Sequence, residues 1–278
     1  MTDRPSTRVE EWVPSSVDIT VPSMARTYDF LLGGGHNFGP DRDLAVRVEQ
    51  LMPGAGKIAR LNRAFLGRAV RYLTDQGIDQ FLDIGSGIPT VGNVHEVAQK
   101  QHPGARVLYV DKDPIAVAHS ELMLARNDNA DILGADMRDP ESILTSVEAR
   151  RLLNFNRPVA LLLVMMIHWI PDQDDPFAVI ARYRDALPPG SFLALSHVTA
   201  DQREDQIGNA QDMIQQSRSA DQLTPRTHAE ILRFFDGFDL VEPGLVGCGL
   251  WRPGGPGDLS DSNHELNAHI YAGVGRKP

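Results

Sequence analysis

Short apolar runs alternate with amphipathic stretches over most of the chain from residue 78 onward. The apolar runs predict five strands, and the stretches between them predict four helices. The predicted strands are 80–83, 106–111, 131–136, 159–166 and 191–197, and the predicted helices are 91–101, 114–127, 140–152 and 176–187. This alternation predicts a mostly parallel sheet with helices on both faces, and such sheets bind ligands at the carboxyl ends of their strands.

The ends of the chain depart from this alternation. Residues 1–23 are polar and interrupted by prolines, which predicts a loosely held N-terminal arm. Residues 24–77 contain two predicted helices, and apolar positions in the second recur at spacings of three and four, as on a buried helix face. We therefore predict one α/β domain over 24–278, in which a helical cap (24–77) precedes the core (78–278). Two late strands predict a terminal antiparallel hairpin.

Composition narrows the class of protein. The 278 residues are 42% hydrophobic, which suits one large α/β domain, and the formal net charge of −10 argues against nonspecific nucleic-acid binding. The longest apolar run (159–167) is too short for a membrane span, which needs about 20 residues, and the N-terminus lacks an apolar signal segment. The single cysteine excludes an intrachain disulfide, and the histidines lack the paired spacing of metal ligands. We expect a cytoplasmic protein without a metal or a membrane partner.

The segment FLDIGSGIPT (81–90) carries the first sign of chemistry. Gly85 and Gly87 let the backbone turn sharply and approach a ligand, although a tight turn without a ligand also explains them. Asp111 ends the next strand, where an acid can accept both hydroxyls of a ribose. An NAD-dependent oxidoreductase is the alternative, but it needs a third glycine, where this chain has threonine, and a pyrophosphate site away from negative charge. S-adenosylmethionine has no phosphate, and its ammonium group suits Asp83, so the loop favours this cofactor.

The third predicted strand ends in a similar way. GAD at 134–136 is followed by Met137, so that Asp136 can accept from an adenine amino group while the methionine packs on the ring. A capped strand end before the next helix also explains this sequence. In register with the acids after the two preceding strands, it indicates an adenosine site.

Many segments, in order along the chain, resemble one family. They include VPSMARTYDFLLGGGHNFGPDRDLA, GIDQFLDIGSGIPTVGNVHEVAQ, RVLYVDKDPIAVAHS and FFDGFDLVEPGLV. The resemblance covers about residues 20–278, and it is to a largely actinobacterial family of class I S-adenosylmethionine-dependent methyltransferases, long known as a domain of unknown function. It implies a Rossmann-like fold with a mostly parallel, seven-strand sheet, S-adenosylmethionine as cofactor and S-adenosylhomocysteine as product.

The resemblance also implies further residues of the cofactor site. Residues upstream of the first strand generally close this site in the class, which singles out Arg26 for the methionine carboxylate, Tyr28 for the sulfonium, and Asn37. Ser86 and Lys112 lie beside the glycines and the ribose acid. The chain departs from the family's usual LLGGKDN, having LLGGGHN, and it has Lys112 in place of an asparagine. A helix ended by glycines also explains the N-terminal segment.

The segment MMIHWIPD follows the fourth strand and holds the candidate catalytic residue, His168. Its usual pKa lies near neutrality, so it could act as a general base on a hydroxyl or an amine. Methyl transfer also proceeds by proximity and orientation alone, and a histidine that binds backbone carbonyls explains the same sequence.

The polar stretch 198–224 leaves the fifth strand at the edge where ligands bind. Its few apolar residues predict a short amphipathic helix that forms a lid over the site. We predict a methyltransferase that acts on an oxygen or nitrogen of a small-molecule acceptor. The alternative is a non-catalytic protein that senses or sequesters S-adenosylmethionine.

Overall fold

The computed structural model describes residues 17–90, 92–254 and 261–278. These residues form ten α-helices and eight β-strands, joined in places by short 3₁₀ turns. The helices are α1 (Met24–Leu32), α2 (Gly39–Leu51), α3 (Ala55–Asp75), α4 (Val94–Gln101), α5 (Pro114–Leu124), α6 (Pro140–Leu144), α7 (Val147–Leu152), α8 (Pro176–Ala186), α9 (Glu204–Gln216) and α10 (His228–Leu232). The strands are β1 (Gln80–Ile84), β2 (Arg106–Asp111), β3 (Ala130–Gly134), β4 (Ala160–Val164), β5 (Phe192–Val198), β6 (Asp239–Leu240), β7 (Val246–Gly247) and β8 (Ile270–Arg276).

The eight strands belong to one sheet, in the order β3–β2–β1–β4–β5–β8–β6, with β7 also paired to β8. Strands β1 to β5 run parallel, and Leu82 of β1 lies between Leu108 of β2 and Leu161 of β4. Strand β8 is antiparallel to β5, β6 and β7. The strand order reverses between β1 and β4, and the carboxyl ends of the strands at such a point form a ligand-binding crevice.

Apolar side chains cover both faces of this sheet. On one face, Phe65 and Leu73 of α3 pack with Phe81 of β1. On the other face, Leu82 packs in a cluster that includes Tyr183 of α8. Strands β1, β4 and β5 are buried along their whole length. Because both faces of a central parallel strand are covered, apolar residues can occupy consecutive positions, as in the ALLLV of β4.

Two predicted elements are interrupted in the structure. The helix predicted over 140–152 is two helices because Ser146 begins α7, where its hydroxyl accepts from the Ala149 N–H. The first late strand is split into β6 and β7 by a turn in which the Gly244 N–H donates to the Val241 carbonyl. The sheet therefore has eight strands where seven were predicted, and its antiparallel C-terminal part is confirmed.

The N-terminal arm predicted over 1–23 lies partly outside the described residues. From residue 17 the chain is packed rather than loose, because Val17 and Ile19 contact a small apolar cluster that contains Phe38 and Ile88. Helices α1, α2 and α3 follow and contact one another. The described residues before β1 are therefore packed against the rest of the domain.

Candidate active site

A cavity of about 620 Å³ opens at the carboxyl edge of the sheet. The loops after β1, β2, β3 and β4 line it on one side, and α1, α2, α3 and α9 line it on the other. Most site residues proposed from the sequence contribute to its wall: Arg26, Tyr28, Asp83, Gly85, Ser86, Gly87, Asp111, Lys112, Asp136, Met137 and His168. The structure therefore brings together residues that are far apart in the chain.

Two glycines with left-handed backbone angles shape the loop after β1. The angle φ is +73° at Gly85 and +67° at Gly87, a region that other residues rarely adopt. The Gly85 N–H donates to the Val110 carbonyl at 2.7 Å, which holds the loop against β2. A Cβ at Gly87 would meet open space, whereas a Cβ at Gly85 would overlap the side chain of Met166. The lack of a side chain at Gly85 thus makes room for the side chain of Met166, a contact that the sequence did not indicate.

Two backbone donors hold the carboxylate of Asp111. Its Oδ2 accepts from the Gly87 N–H at 2.8 Å, and its Oδ1 accepts from the Asp113 N–H at 2.9 Å. Burial raises the pKa of Asp111 to about 6, against the lowering effect of these hydrogen bonds. Each carboxylate oxygen has a second lone pair. Asp111 can therefore still accept from two hydroxyls of a ligand in the cavity.

Asp83 is the penultimate residue of β1 and is buried beside this loop. Burial raises its pKa to about 7; the charge of Arg63 opposes this shift, and the charge of Asp111 adds to it. A cation bound next to Asp83 would favour its ionised form. The position thus suits the ammonium group of an amino-acid ligand.

Asp136 and Met137 follow β3 at the same edge. Hydrogen bonds from the Arg138 side chain hold the pKa of Asp136 below its usual value, and Arg138 Nε lies 3.0 Å from Asp136 Oδ1. Met137 is buried, and its backbone carbonyl accepts from the Tyr183 hydroxyl at 2.8 Å. The pair thus presents a fixed carboxylate next to a fixed apolar side chain.

Two of the N-terminal candidates lie in the cavity wall on α1. Arg26 is buried, its Nε lies 3.4 Å from the Asp41 carboxylate, and its Nη1 has no hydrogen-bond partner among the described residues. The Tyr28 hydroxyl donates to the Ala59 carbonyl at 3.1 Å and accepts from Asn62 Nδ2 at 3.0 Å. Burial raises the pKa of Tyr28 to about 12. Arg26 thus has a free donor for an anion, whereas Tyr28 can offer mainly its ring.

Asn37, the third N-terminal candidate, does not line the cavity. Its Nδ2 donates to Asp29 Oδ2 at 2.9 Å and to the Gly34 carbonyl at 3.0 Å. The backbone N–H of His36 donates to the same Asp29 oxygen, and Gly33 ends α1 with φ of +88°. The segment LLGGGHN therefore ends a helix and wraps a buried carboxylate, and Asn37 stabilises this helix end instead of lining the cavity.

Lys112 is engaged in an ion pair at the edge of the cavity. Its Nζ lies 2.7 Å from Oδ1 of Asp221, whose Oδ2 also accepts from the Met24 N–H at 3.4 Å. The segment after α9 is thereby joined to the loop after β2 and to the start of α1. Helix α9 lies in the stretch predicted as a lid, and its Ile207 and Ile214 are buried and line the cavity.

His168 lies in the 3₁₀ turn that follows β4. Its ring is completely buried, and neither ring nitrogen has a hydrogen-bond partner among the described residues. Burial holds the pKa of His168 well below its usual value, and the neighbouring His197 and Arg226 add to the effect. The ring is therefore neutral at pH 7, and it does not serve to bind backbone carbonyls, the alternative that the sequence allowed.

Arg226 holds this turn in place, and no pattern in the sequence points to it. Its Nη2 donates to the Ile170 carbonyl at 2.9 Å and to Asp172 Oδ1 at 2.6 Å, and its Nη1 lies 3.0 Å from Nε2 of His197. Since arginine only donates, Nε2 of His197 must accept. Arg226 thus fixes the turn that carries His168 from a position just beyond the stretch predicted as a lid.

A second unpredicted group links the cap to the end of β4. Asn62 Oδ1 accepts from the Ser196 hydroxyl at 2.6 Å, and Ser196 Oγ accepts from the Met165 N–H at 3.0 Å. Met165 has φ of +60°, which is uncommon outside glycine. The sequence does carry a sign of this group, because Asn62 interrupts the apolar face of α3 between Ile58 and Phe65.

Two further findings concern metal and membrane. Among the described residues, no group of three histidine, cysteine, aspartate or glutamate side chains could hold a metal ion. No helix in the described part of the chain is long and apolar enough to cross a membrane.

The sheet order, the glycine loop after β1, and the acids that follow the first three strands define a class I methyltransferase fold. Comparison with known families agrees with this class. The chain belongs to the S-adenosyl methyltransferase family, whose sequence profile matches residues 10–278. It is therefore an enzyme with S-adenosylmethionine as its cofactor.

Two crystal structures resemble this one over almost the whole chain. A candidate methyltransferase from Thermobifida fusca YX has 42% identity and a TM-score of 0.87, with 96% of this chain and 99% of that chain covered. A DUF574 family protein from Streptomyces avermitilis MA-4680 has 37% identity and a TM-score of 0.89, with 94% and 99% covered. A search of curated proteins found no match. The family and the fold class predicted from the sequence are confirmed.

Proposed function

We propose that this enzyme methylates an oxygen or nitrogen atom of a small molecule bound in the same cavity as the cofactor. The observation that carries the proposal is the continuity of the cavity, which extends from the glycine loop to His168 and α9. Its volume of about 620 Å³ falls in the range of about 300–1,000 Å³ that is typical of small-molecule sites. A protein or nucleic-acid acceptor would instead need an open surface next to the cofactor.

The residues at the β1–β3 end of the cavity fit S-adenosylmethionine. Buried polar atoms in a native structure normally have partners, yet Arg26 Nη1 and Ser86 Oγ have none among the described residues. A carboxylate at Arg26 and an ammonium group at Asp83 would satisfy the amino-acid part of the cofactor. Asp111 would then accept from the ribose hydroxyls.

The remaining candidates suit the adenine, the sulfur or the edge of the cofactor site. Asp136 and Met137 suit the adenine, since one can accept from its amino group and the other can pack on its ring. Tyr28 suits the neighbourhood of the positively charged sulfur, because a cation favours an aromatic face. Lys112 is already paired with Asp221, so we assign it to the edge of the site rather than to direct cofactor binding.

S-adenosylmethionine supplies a methyl group on a positively charged sulfur, which keeps the electron pair of the broken C–S bond when the group is transferred. The acceptor atom forms the new bond to the methyl carbon and loses its proton. His168, neutral and without a hydrogen-bond partner, can take that proton. The protein otherwise contributes position and orientation, which alone can supply much of the rate.

The test begins with isotope-labelled S-adenosylmethionine and an extract separated by ultrafiltration into small molecules and macromolecules. We expect the enzyme to label a compound in the small-molecule fraction and to release S-adenosylhomocysteine in equal amount. An Asp111→Ala variant, whose affinity for the cofactor should be at least about tenfold lower, is the matched control at a limiting concentration of S-adenosylmethionine. Label confined to the macromolecular fraction would contradict a small-molecule acceptor, and cofactor binding with no release of S-adenosylhomocysteine from any fraction would contradict methyl transfer.

A further inference from the structure

One end of the cavity is built almost entirely from apolar side chains. We call it the acceptor chamber and define it by Val48, Met52, Ile58, Ile207, Ala210 and Ile214, which come from α2 and the residue after it, α3 and α9. Met165, directly after β4, and Trp169, in the turn that follows, pack against the apolar cluster that contains Ile207 and Ile214. The chamber therefore lies on the side of the sheet edge where β4 and the lid segment meet.

The charged groups of the cavity lie elsewhere. Among the described residues, most of them belong to the end of β1 or to the loops after β1, β2 and β3, or interact with charges there, as Arg63 does with Asp83. Lys112 is paired with Asp221, and Arg138 is paired with Asp136. None of the six residues that define the acceptor chamber carries a charge or a polar group.

Some of the polar side chains that line the cavity near the chamber are paired, and others are not. The Tyr28 hydroxyl and the Asn62 amide bind each other, and Asn62 also accepts from Ser196. The Thr27 hydroxyl and both nitrogens of the buried His168 ring lack partners among the described residues. The ring packs against Trp169 with 4.7 Å between ring centroids. The chamber thus combines an apolar lining with the neutral ring of His168, which can accept a hydrogen bond.

This combination selects by charge. A carboxylate or an ammonium group in the chamber would lose its hydration without gaining an ionic partner, which is costly. A phenol-type hydroxyl is uncharged near pH 7 because its pKa is about 10, whereas an alkyl amine with a pKa of about 10.4 is a cation. The hydroxyl can also donate to the ring of His168, which would satisfy both groups.

We propose that the methyl acceptor is an uncharged, largely apolar molecule with an aromatic hydroxyl, which occupies the acceptor chamber and donates a hydrogen bond to His168. This proposal rests on the proposed function and narrows it to one class of acceptor. The hydroxyl oxygen would form the bond to the methyl carbon, and its proton would go to the ring of His168.

Three probes of matched shape test the proposal: β-naphthol, the corresponding naphthalene carboxylate, and the corresponding naphthylmethylammonium. Binding to the enzyme saturated with S-adenosylhomocysteine is measured by calorimetry. We expect the naphthol to bind at least about tenfold more tightly than either charged probe, equivalent to about 1.4 kcal/mol. Tighter binding of a charged probe, or no binding of the naphthol, would overturn the proposal.

Substitutions in the chamber locate the binding. Ala210→Trp should abolish naphthol binding by filling the chamber, and the smaller change Ala210→Leu should weaken it, while both variants keep their affinity for S-adenosylhomocysteine. Val147→Trp is the matched control, since Val147 is 77% exposed on α7 and does not line the cavity. Unchanged naphthol binding in both Ala210 variants would place the probe elsewhere and refute the assignment.

The two proposals fail in different ways. If only the proposed acceptor class is wrong, S-adenosylhomocysteine will still bind, and the naphthol will bind no better than the charged probes. Failure of the proposed function would appear as naphthol binding without formation of the methyl ether, detected by mass spectrometry when S-adenosylmethionine replaces S-adenosylhomocysteine.

Discussion

Replacing Asp111 with alanine tests the cofactor site most directly. The carboxylate is buried, with one oxygen bound to the Gly87 N–H and the other to the Asp113 N–H, so its position is fixed before a ligand arrives. A hydrogen bond to a charged group contributes about 1.5–3 kcal/mol. The loss of even one of the two ribose hydrogen bonds should therefore weaken cofactor binding by at least about tenfold. Loosening of the glycine loop would add to this loss.

Calorimetry with S-adenosylhomocysteine at about pH 8, where the carboxylates are ionised, measures the change. Asp131→Ala is a suitable control, because the Asp131 side chain on β3 is 35% exposed, pairs with Arg151 and does not line the cavity. A 2′-deoxy analogue separates the ribose contact from the loop. Wild type should prefer the ribose form, and Asp111→Ala should bind both forms about equally. Retained discrimination in the variant, or tight NAD binding by wild type, would refute the reasoning.

Three further outcomes follow from the site. Asp83→Asn should raise the melting temperature, because the wild-type native state must keep a buried carboxylate whose pKa is raised to about 7. The gain in melting temperature should be largest above about pH 7 and shrink towards about pH 4. An equal gain at every pH would contradict this cause. His168→Ala should leave S-adenosylhomocysteine affinity unchanged and slow methyl transfer by about a hundredfold or more in a single-turnover assay, whereas an unchanged rate would exclude a role as base. Amides of residues 203–218 should exchange hydrogen faster than those of β4 in the free protein and slow when cofactor and acceptor bind; protection equal to that of β4 in the free protein would rule out a lid.

The fold could be predicted because local pattern and global packing agree in the central strands. Strands β1, β4 and β5 are covered on both faces, and their largely apolar sequences indicate buried strands of a parallel sheet. The interruptions between α6 and α7 and between β6 and β7 were not predictable in the same way. A serine inside an amphipathic run can face solvent or begin a new helix, and only the packed structure shows that Ser146 does the latter. The split between β6 and β7 depends equally on how both strands pair with β8.

The site was predictable to the extent that topology decides it. Acids at the ends of neighbouring parallel strands must lie at one edge, which is why Asp83, Asp111 and Asp136 line one cavity. The hydrogen-bond and ion-pair partners of individual side chains depend on tertiary structure instead. The pairing of Lys112 with Asp221 spans more than a hundred residues. The LLGGGHN segment packs around Asp29 and ends a helix, which its sequence alone does not decide.

The ion pair between Lys112 and Asp221 has a kinetic consequence. Lys112 directly follows the ribose acid, and Asp221 follows α9, so one contact ties the edge of the cofactor site to the cover of the acceptor chamber. The Lys112 side chain is 50% exposed, and salt weakens ion pairs that are open to solvent. We expect added salt to speed the dissociation of S-adenosylhomocysteine in stopped-flow measurements, and Asp221→Asn to remove that salt dependence. Where product release limits turnover, the enzyme would then run faster in salt, even though its chemical step is unchanged.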